Sequence, residues 1–404
     1  MHVTQAIGTR YIPLLLIFLC INSYANTNTV TDTEWTFIGA GASGLAFIGM
    51  LLDNGIDPQS ITCVDPHFNV GRLGDYYYNV PGNTTAEHFI AFVNECETFQ
   101  KISSPALDYL RNYYPFECCH LKVVIDALKD ITKYLKKEIK TYTDTVSKIE
   151  FKNNKWNISL KSGTLFTSYN LILATGSHPK VLTYTNSAPT IPLDDALDKE
   201  RLQNYITPED TIALIGDSHS AMLVLKHLYE LGITRIINFY LNDITYAYDM
   251  GEGNIPDYNG LKGDIAEWVF NVYEKEKPAS IIRIKNNKKA RKSLIPLCTK
   301  IIYAVGYERN QIPITGMDSN TLEYDPLTGV ITPRLFGVGI AFPEKIIDPW
   351  GKEQFTVGII DFLNYAQRIV PNWITKKQQT SYLAKFKHLF DIRAISPPQP
   401  PQGG

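Results

Sequence analysis

Gly39-Ala40-Gly41-Ala42-Ser43-Gly44 sets three glycines at the spacing that lets a backbone wrap a diphosphate. Gly39 permits a tight turn, Gly41 lets the chain approach a pyrophosphate, and Gly44 lets a helix lie close to a strand. Ala42 and Ser43 open that helix, where free N–H groups and the positive dipole end favour an anion. Trp35-Thr36-Phe37-Ile38 ahead of the glycines predicts a buried strand, and the apolar run to Leu52 predicts the helix. A second strand, Ile61-Thr62-Cys63-Val64, ends at Asp65, about 20 residues past Gly44, where a carboxylate accepts hydrogen bonds from ribose hydroxyls. Strand, turn, helix, strand and acid together point to a bound dinucleotide. The bland alternative is a glycine-rich turn in an α/β domain that holds no ligand.

The pattern recurs in worn form. Ile212-Ala213-Leu214-Ile215 leads into Gly216-Asp217-Ser218-His219-Ser220-Ala221, an apolar helix, and the strand Arg235-Ile236-Ile237-Asn238-Phe239-Tyr240. Ser218 takes the middle glycine position and Ala221 the last, where alanine is tolerated. Gly216, Ser218 and Ser220 therefore form a candidate nicotinamide-nucleotide turn, against the alternative of a duplicated unit that has lost its ligand. His219 reads as structural or solvent-facing. The end of the following strand normally separates NAD from NADP, and Tyr240, Asn242 and Asp243 offer neither a clear acid nor an arginine. Arg235 lies at the wrong end of that strand, so NADPH and NADH both stay open.

Two more strands frame the second turn. One ends in Ala174-Thr175-Gly176 and its echo in Ala304-Val305-Gly306-Tyr307. Small residues there let the chain pass between two domains close to bound cofactors, which makes Thr175 and Gly176 candidate contacts. As a matched pair they predict that a second nucleotide unit is inserted into the first.

The 404 residues are 44% hydrophobic and 20% charged, with room for two domains. A formal net charge of -2 leaves no bulk electrostatic case for nucleic acid. Arg10, the apolar run 11–21 and Ser23-Tyr24-Ala25 have the layout of a signal peptide over residues 1–25. The run falls short of the roughly 20 residues of a membrane span. A secreted or periplasmic protein is expected, with an uncleaved anchor, and the membrane contact it brings, as the alternative. Beyond Cys20 stand Cys63, Cys96, Cys118, Cys119 and Cys298, with no C-x-x-C, so ordinary thiols are expected.

Between the two units the pattern predicts a helix over 123–139, its lysines a solvated face, and then strands near 146–151, 156–160 and 164–166. The predicted class is α/β. A Rossmann-like domain with a parallel sheet and a small antiparallel sheet spans 34–180 and 301–390, and a second Rossmann-like domain is inserted at 181–300. The Pro/Gln/Gly-rich tail 391–404 is expected to be disordered.

Together these motifs resemble the flavoproteins with two dinucleotide-binding domains, and within them the flavin-containing monooxygenase-like group, over about residues 35–370. The resemblance implies FAD at the first turn, NADPH (or NADH) at the second, and a small-molecule substrate. Ala304-Val305-Gly306-Tyr307 is similar to the version found in N-hydroxylating members. Val70-Gly71-Arg72-Leu73-Gly74 resembles the segment that wraps the flavin, which makes Arg72 a cofactor contact. Asn79 to Thr85 resembles the following stretch, in which an asparagine nears the isoalloxazine, and this implies Asn83 as a flavin neighbour able to donate a hydrogen bond in the oxygen step. Residues alone read Asn83 equally well as a turn residue after Pro81. The C-terminal flavin motif survives as Gly337-Val338-Gly339-Ile340-Ala341 without its acid, with Gly339 as the candidate contact and an apolar helix over 357–370 as the flavin's cover.

Three functions follow. The first is an FAD-dependent oxidoreductase that takes hydride from NAD(P)H and oxygenates a nitrogen or sulfur nucleophile. The second is a flavin dehydrogenase or oxidase that does not use nicotinamide, and the third a non-catalytic flavin-binding scaffold. Lack of C-x-x-C removes the disulfide-reductase branch. Substrate specificity is expected in the loop 246–258 and around Trp268.

Overall fold

The computed structural model describes residues 31–182, 188–247, 260–318, 321–348 and 351–374. The expected signal peptide, the tail and most of the 246–258 loop lie outside the described residues. β1 (Thr31–Ile38) enters the glycine turn, α1 (Ala42–Asp53) leaves it, and β2 (Ile61–Asp65) returns parallel to β1 with Val64 beside Ile38. These strands are apolar on both faces because helices cover the sheet. β3 (Pro81–Thr85) and β4 (Cys118–His120) pair antiparallel away from that sheet. α2 (Leu121–Glu138) buries Val124, Leu128, Ile131 and Leu135 and exposes Lys133, Lys136 and Lys137, the solvated face its periodicity predicts. β5 (Lys140–Thr143) then joins β2.

β6 (Val146–Lys152) and β7 (Lys155–Leu160) form a hairpin closed by Asn153 and Asn154, both at positive φ, the turn whose twist matches paired strands. β8 (Leu165–Leu173) is a single strand where the sequence suggested two. Its first half pairs antiparallel with β7 and nearly its whole length pairs parallel with β1, so the small antiparallel sheet is continuous with the parallel one. The polar middle that reads as a break is satisfied in place. Thr167 bonds the Asp32 carboxylate, and Ser168 Oγ donates to the Asn170 carbonyl at 2.7 Å.

β9 (Ser177–Pro179) leads out to the second unit. That unit comprises β10 (Thr190–Ile191), β11 (Thr211–Ile215), α3 (His219–Glu230), β12 (Arg235–Tyr240), β13 (Ile281–Lys285) and β14 (Lys300–Tyr303). Its strands form one parallel sheet in the order β10-β14-β11-β12-β13. The boundary expected at 300 therefore moves past Tyr303, because β14 hydrogen-bonds to β11 from Lys300 to Tyr303. β15 (Tyr307–Arg309) runs back antiparallel to β9, so the outgoing and returning chains form one two-stranded link. β16 (Val330–Thr332) and β17 (Leu335–Gly337) complete the first sheet, β17 lying parallel to β8.

α4 (Ile359–Ile374), expected as a cover over the flavin, lies along α1. The Trp373 ring stacks on Phe47 at 5.4 Å and on Phe336 at 4.2 Å, and its Nε1–H donates to the Thr328 carbonyl at 3.0 Å. Trp268, expected in a substrate loop, is buried in the second core beside Tyr229. No described helix is long and apolar enough to cross a membrane. Trp373→Ala removes the ring that pins α4 to α1 and is expected to cost about 3–5 kcal/mol. Denaturant unfolding checks this, and an unchanged midpoint would mean α4 is not part of the cooperative core.

Candidate functional site

At the first turn three chain segments meet. Gly39 N–H donates to the Val64 carbonyl at 2.9 Å, and Ala174 N–H to the Ile38 carbonyl at 2.9 Å. A Cβ on Gly39 would stand 2.2 Å from the Ala174 carbonyl oxygen, and Gly39 holds φ at +108°. Only glycine fits there. A Cβ on Gly44 would meet the Gly39 carbonyl at 2.2 Å, which is the close helix–strand packing the spacing predicts. Gly41 differs, since its nearest neighbour would be the Val70 carbonyl at 3.8 Å. Its freedom is open space above the turn.

α1 starts at Gly41 with no side-chain cap and no acid in its first turn. Ala42, Ser43 and Gly44 therefore present a helix N-terminus of about half a positive charge to an anion. Gly339, at φ +73°, packs so closely that a Cβ would fall 2.2 Å from Ser43 Oγ. Thr175 Oγ1 donates to the Asn310 carbonyl at 3.2 Å, and Asn310 Nδ2 returns a bond to the Thr175 carbonyl at 2.8 Å. Gly176 follows at φ +69°. The fold thus gathers Gly39, Gly41, Ala42, Ser43, Gly44 and Gly339 around one helix end, with Thr175 beside Gly39 and Gly176 next along the chain against Asn310, and that uncapped end fits a diphosphate.

The second turn copies the first. Gly216 N–H donates to the Phe239 carbonyl at 2.9 Å, Ala304 N–H to the Ile215 carbonyl at 2.7 Å, and a Cβ on Gly216 would sit 2.2 Å from the Ala304 oxygen. Ser218 is exposed at the start of α3, which also lacks a side-chain cap and an acidic first turn. Ala221 is buried where the first turn has Gly44.

The acids hold positions the sequence did not indicate. Asp65 is only 6% exposed, and its carboxylate accepts the N–H groups of Ala40 at 2.8 Å, His67 at 2.9 Å and Phe68 at 2.6 Å. Three of its roughly four acceptor positions are filled by backbone. Asp65, the carboxylate expected to meet ribose, thus also ties the glycine turn to the chain after β2. In the second unit Tyr240 ends the equivalent strand, and the bridge runs the other way. Asp217, inside the turn, accepts the N–H groups of Leu241 at 2.8 Å and Asn242 at 2.5 Å. An acid inside a turn with none closing the next strand is the signal that would have found it.

Arg72, expected beside the flavin, is instead ion-paired with Asp194 of the second unit and lies over the Tyr76 ring at 4.5 Å. Tyr77 donates to Asp194 Oδ1 at 3.0 Å and meets the Tyr307 hydroxyl at 3.0 Å. Tyr77 has one proton and gives it to Asp194, so Tyr307 donates to Tyr77. Ser220 bonds Tyr307 in turn. Burial raises both tyrosine pKa values, Tyr77 the more strongly, so both stay protonated at neutral pH. Asn83 is exposed and lies in β3 rather than in a turn, with Thr84 Oγ1 donating to its Oδ1 at 3.3 Å. Gly263 of the second unit packs near it, a Cβ there standing 3.9 Å from Asn83 Cα, so Asn83 marks the seam between units. His219 is not solvent-facing. Burial, aided by Lys262, pushes its pKa down to about 4, and its buried Nδ1 has no partner.

No protein-family model matches the chain. Monooxygenase AgnR1 of Paecilomyces divaricatus is 30% identical, covering 83% of this chain and 97% of that relative. Among solved structures, a flavin-containing monooxygenase from Stenotrophomonas maltophilia superposes with a TM-score of 0.59 at 12% identity, covering 87% of this chain and 99% of its own. The ornithine N-hydroxylase of Kutzneria sp. 744 gives 0.57 at 11% identity, covering 86% and 100%. These two establish a shared fold.

The two glycines separate folding from binding. Gly39→Ala places a Cβ against a backbone oxygen at positive φ and is expected to cost about 3 kcal/mol or more. Gly41→Ala meets no clash and should keep its melting temperature within a few degrees while losing most bound FAD. Melting curves beside the flavin absorbance of both variants check this pair, and a stable Gly39→Ala would contradict the geometry.

Proposed function

Since the chain belongs to the monooxygenase family of its Paecilomyces relative, we propose that its two glycine turns divide the cofactors of an FAD-dependent NAD(P)H oxidoreductase, which oxygenates a nitrogen or sulfur nucleophile on a small molecule. One observation carries the reading. The two turns share a geometry, each pressing its first glycine onto the carbonyl of a strand-end alanine and leaving a bare helix N-terminus. Gly39, Gly41, Ala42, Ser43, Gly44, Thr175, Gly176 and Gly339 would hold the FAD diphosphate, and Gly216, Ser218 and Ser220 that of the nicotinamide nucleotide. When bound, the flavin accepts hydride from the nicotinamide and reacts with oxygen. The Kutzneria neighbour is an ornithine N-hydroxylase whose structure is described with reduced FAD, NADP+ and L-ornithine, which supports a nitrogen nucleophile here.

The chain's own side chains set the frame for that chemistry. Asp65 holds the first turn in shape and Asp217 the second, so their free amides need no reorganisation when an anion arrives. The chain Arg72, Asp194, Tyr77, Tyr307 and Ser220 links the two units beside the second turn. Asn83, at the seam, would be the flavin neighbour that donates a hydrogen bond in the oxygen step.

Anaerobic addition of NADPH or NADH to the purified yellow protein is expected to bleach the flavin absorbance, and air to restore it. If neither nucleotide bleaches it, hydride entry at the second turn is wrong. The segment 1–25 supports export of this enzyme. N-terminal sequencing of protein from the culture medium should begin at Asn26, and a wholly cell-retained chain that starts at Met1 would count against it.

A further inference from the structure

We propose that Arg283 and Lys285, near the end of β13, form a subsite for the 2′-phosphate of NADPH, so that this strand rather than β12 sets the choice between NADPH and NADH. The inference rests on the reading that the second glycine turn holds a nicotinamide nucleotide. In that fold the adenosine 2′ position lies past the end of the second strand, where an acid selects NADH and an arginine accepts the phosphate. Tyr240 ends the strand and can do neither, and Asp243, three residues further on, is exposed.

The neighbouring strand supplies what is missing. β13 pairs in parallel with β12, setting Lys285 beside Tyr240 and Arg283 beside Asn238. The Arg283 guanidinium lies 4.0 Å over the Tyr240 ring and Lys285 Nζ 5.1 Å from it. Arg283 donates to the Asn242 carbonyl at 2.9 Å and meets Tyr273, and Lys285 donates to the Leu241 carbonyl at 2.5 Å. Both cations thus lean over the loop that Asp217 ties to the glycine turn. Among the described residues neither forms an ion pair with an acid, and Arg283 Nε is buried without a partner. Carbonyl oxygens leave their charge uncompensated. Residues 283–292, which run on from the end of β13, hold six lysines and arginines and no aspartate or glutamate, while the Asp217 carboxylate on the other side of the loop is engaged by the Leu241 and Asn242 amides. A doubly charged phosphate with several acceptor oxygens suits a planar guanidinium and a neighbouring ammonium. A ribose hydroxyl gains little from two cations, so NADH is disfavoured by comparison.

Calorimetric titration of the flavin-loaded protein with NADP+ and with NAD+ tests the subsite without turnover. Wild type is expected to bind NADP+ at least about tenfold more tightly than NAD+. Arg283→Gln and Lys285→Gln are each expected to weaken NADP+ about tenfold and to leave NAD+ within about twofold. Lys285 is exposed, so its replacement leaves the fold intact even if loss of Arg283 disturbs the packing on Tyr240. Equal wild-type affinity for the two nucleotides, unchanged NADP+ affinity in both variants, or equal loss of both nucleotides in Lys285→Gln would each overturn the subsite while the second site stands. Failure of wild type to bind either nucleotide would overturn the second-site reading and the subsite with it.

Discussion

A backbone carbonyl at the end of one strand occupies the space where any side chain on the first turn glycine would have to go. Ala174 plays this part for Gly39 and Ala304 for Gly216. The contact keeps the turn flat against the sheet, and the helix that follows must then start directly over the strand ends. Its first amides point into the crevice outside the carboxyl ends of the strands, where open α/β sheets bind ligands. The same two alanines lie at the point where the chain leaves one unit for the other. Nucleotide turn and inter-unit link are therefore set by a single close approach, made twice.

The two aspartates show how much freedom remains once that approach is made. A glycine turn and the chain past the second strand must be held together, because buried amides without acceptors cost about 1–3 kcal/mol each. The first unit meets the need from the strand end with Asp65, and the second from inside the turn with Asp217. Moving the acid into the turn frees the strand end for Tyr240, an aromatic platform on which β13 lays Arg283 and sets Lys285 close by. The worn appearance of the second motif thus reflects a different solution to one bonding problem.

Between the turns, polar groups are buried at some cost and mostly paired, although Arg72 Nε finds no partner. Arg72 and Tyr77 come from the first unit, Asp194 and Ser220 from the second, and Tyr307 from the returning link. A buried charge pair adds little net stability, but removing one partner is expensive, so such a chain favours one relative placement of the units. That placement sets Asn83 beside Gly263, where residues of both units reach the same seam.

Local patterns determined a good deal. Glycine spacing, apolar strand runs and helical periodicity marked β1, α1, β2, β11, α3 and β12 and the nesting of one unit in the other, because each signal depends on neighbours a few residues apart. The spacing also marked Gly39, Gly41 and Gly44, although the carbonyl that makes Gly39 obligatory comes from Ala174, far along the chain. β8 read as two strands because its polar middle finds partners only once Asp32 lies alongside. Roles that depend on a partner's position were illegible. Arg72 meets Asp194 across 122 residues of chain, Asp65 takes three backbone amides that its spacing did not announce, and β13 carries no motif of its own. Which group a side chain bonds is decided by what packing brings within about 3 Å, and only the tertiary structure decides that.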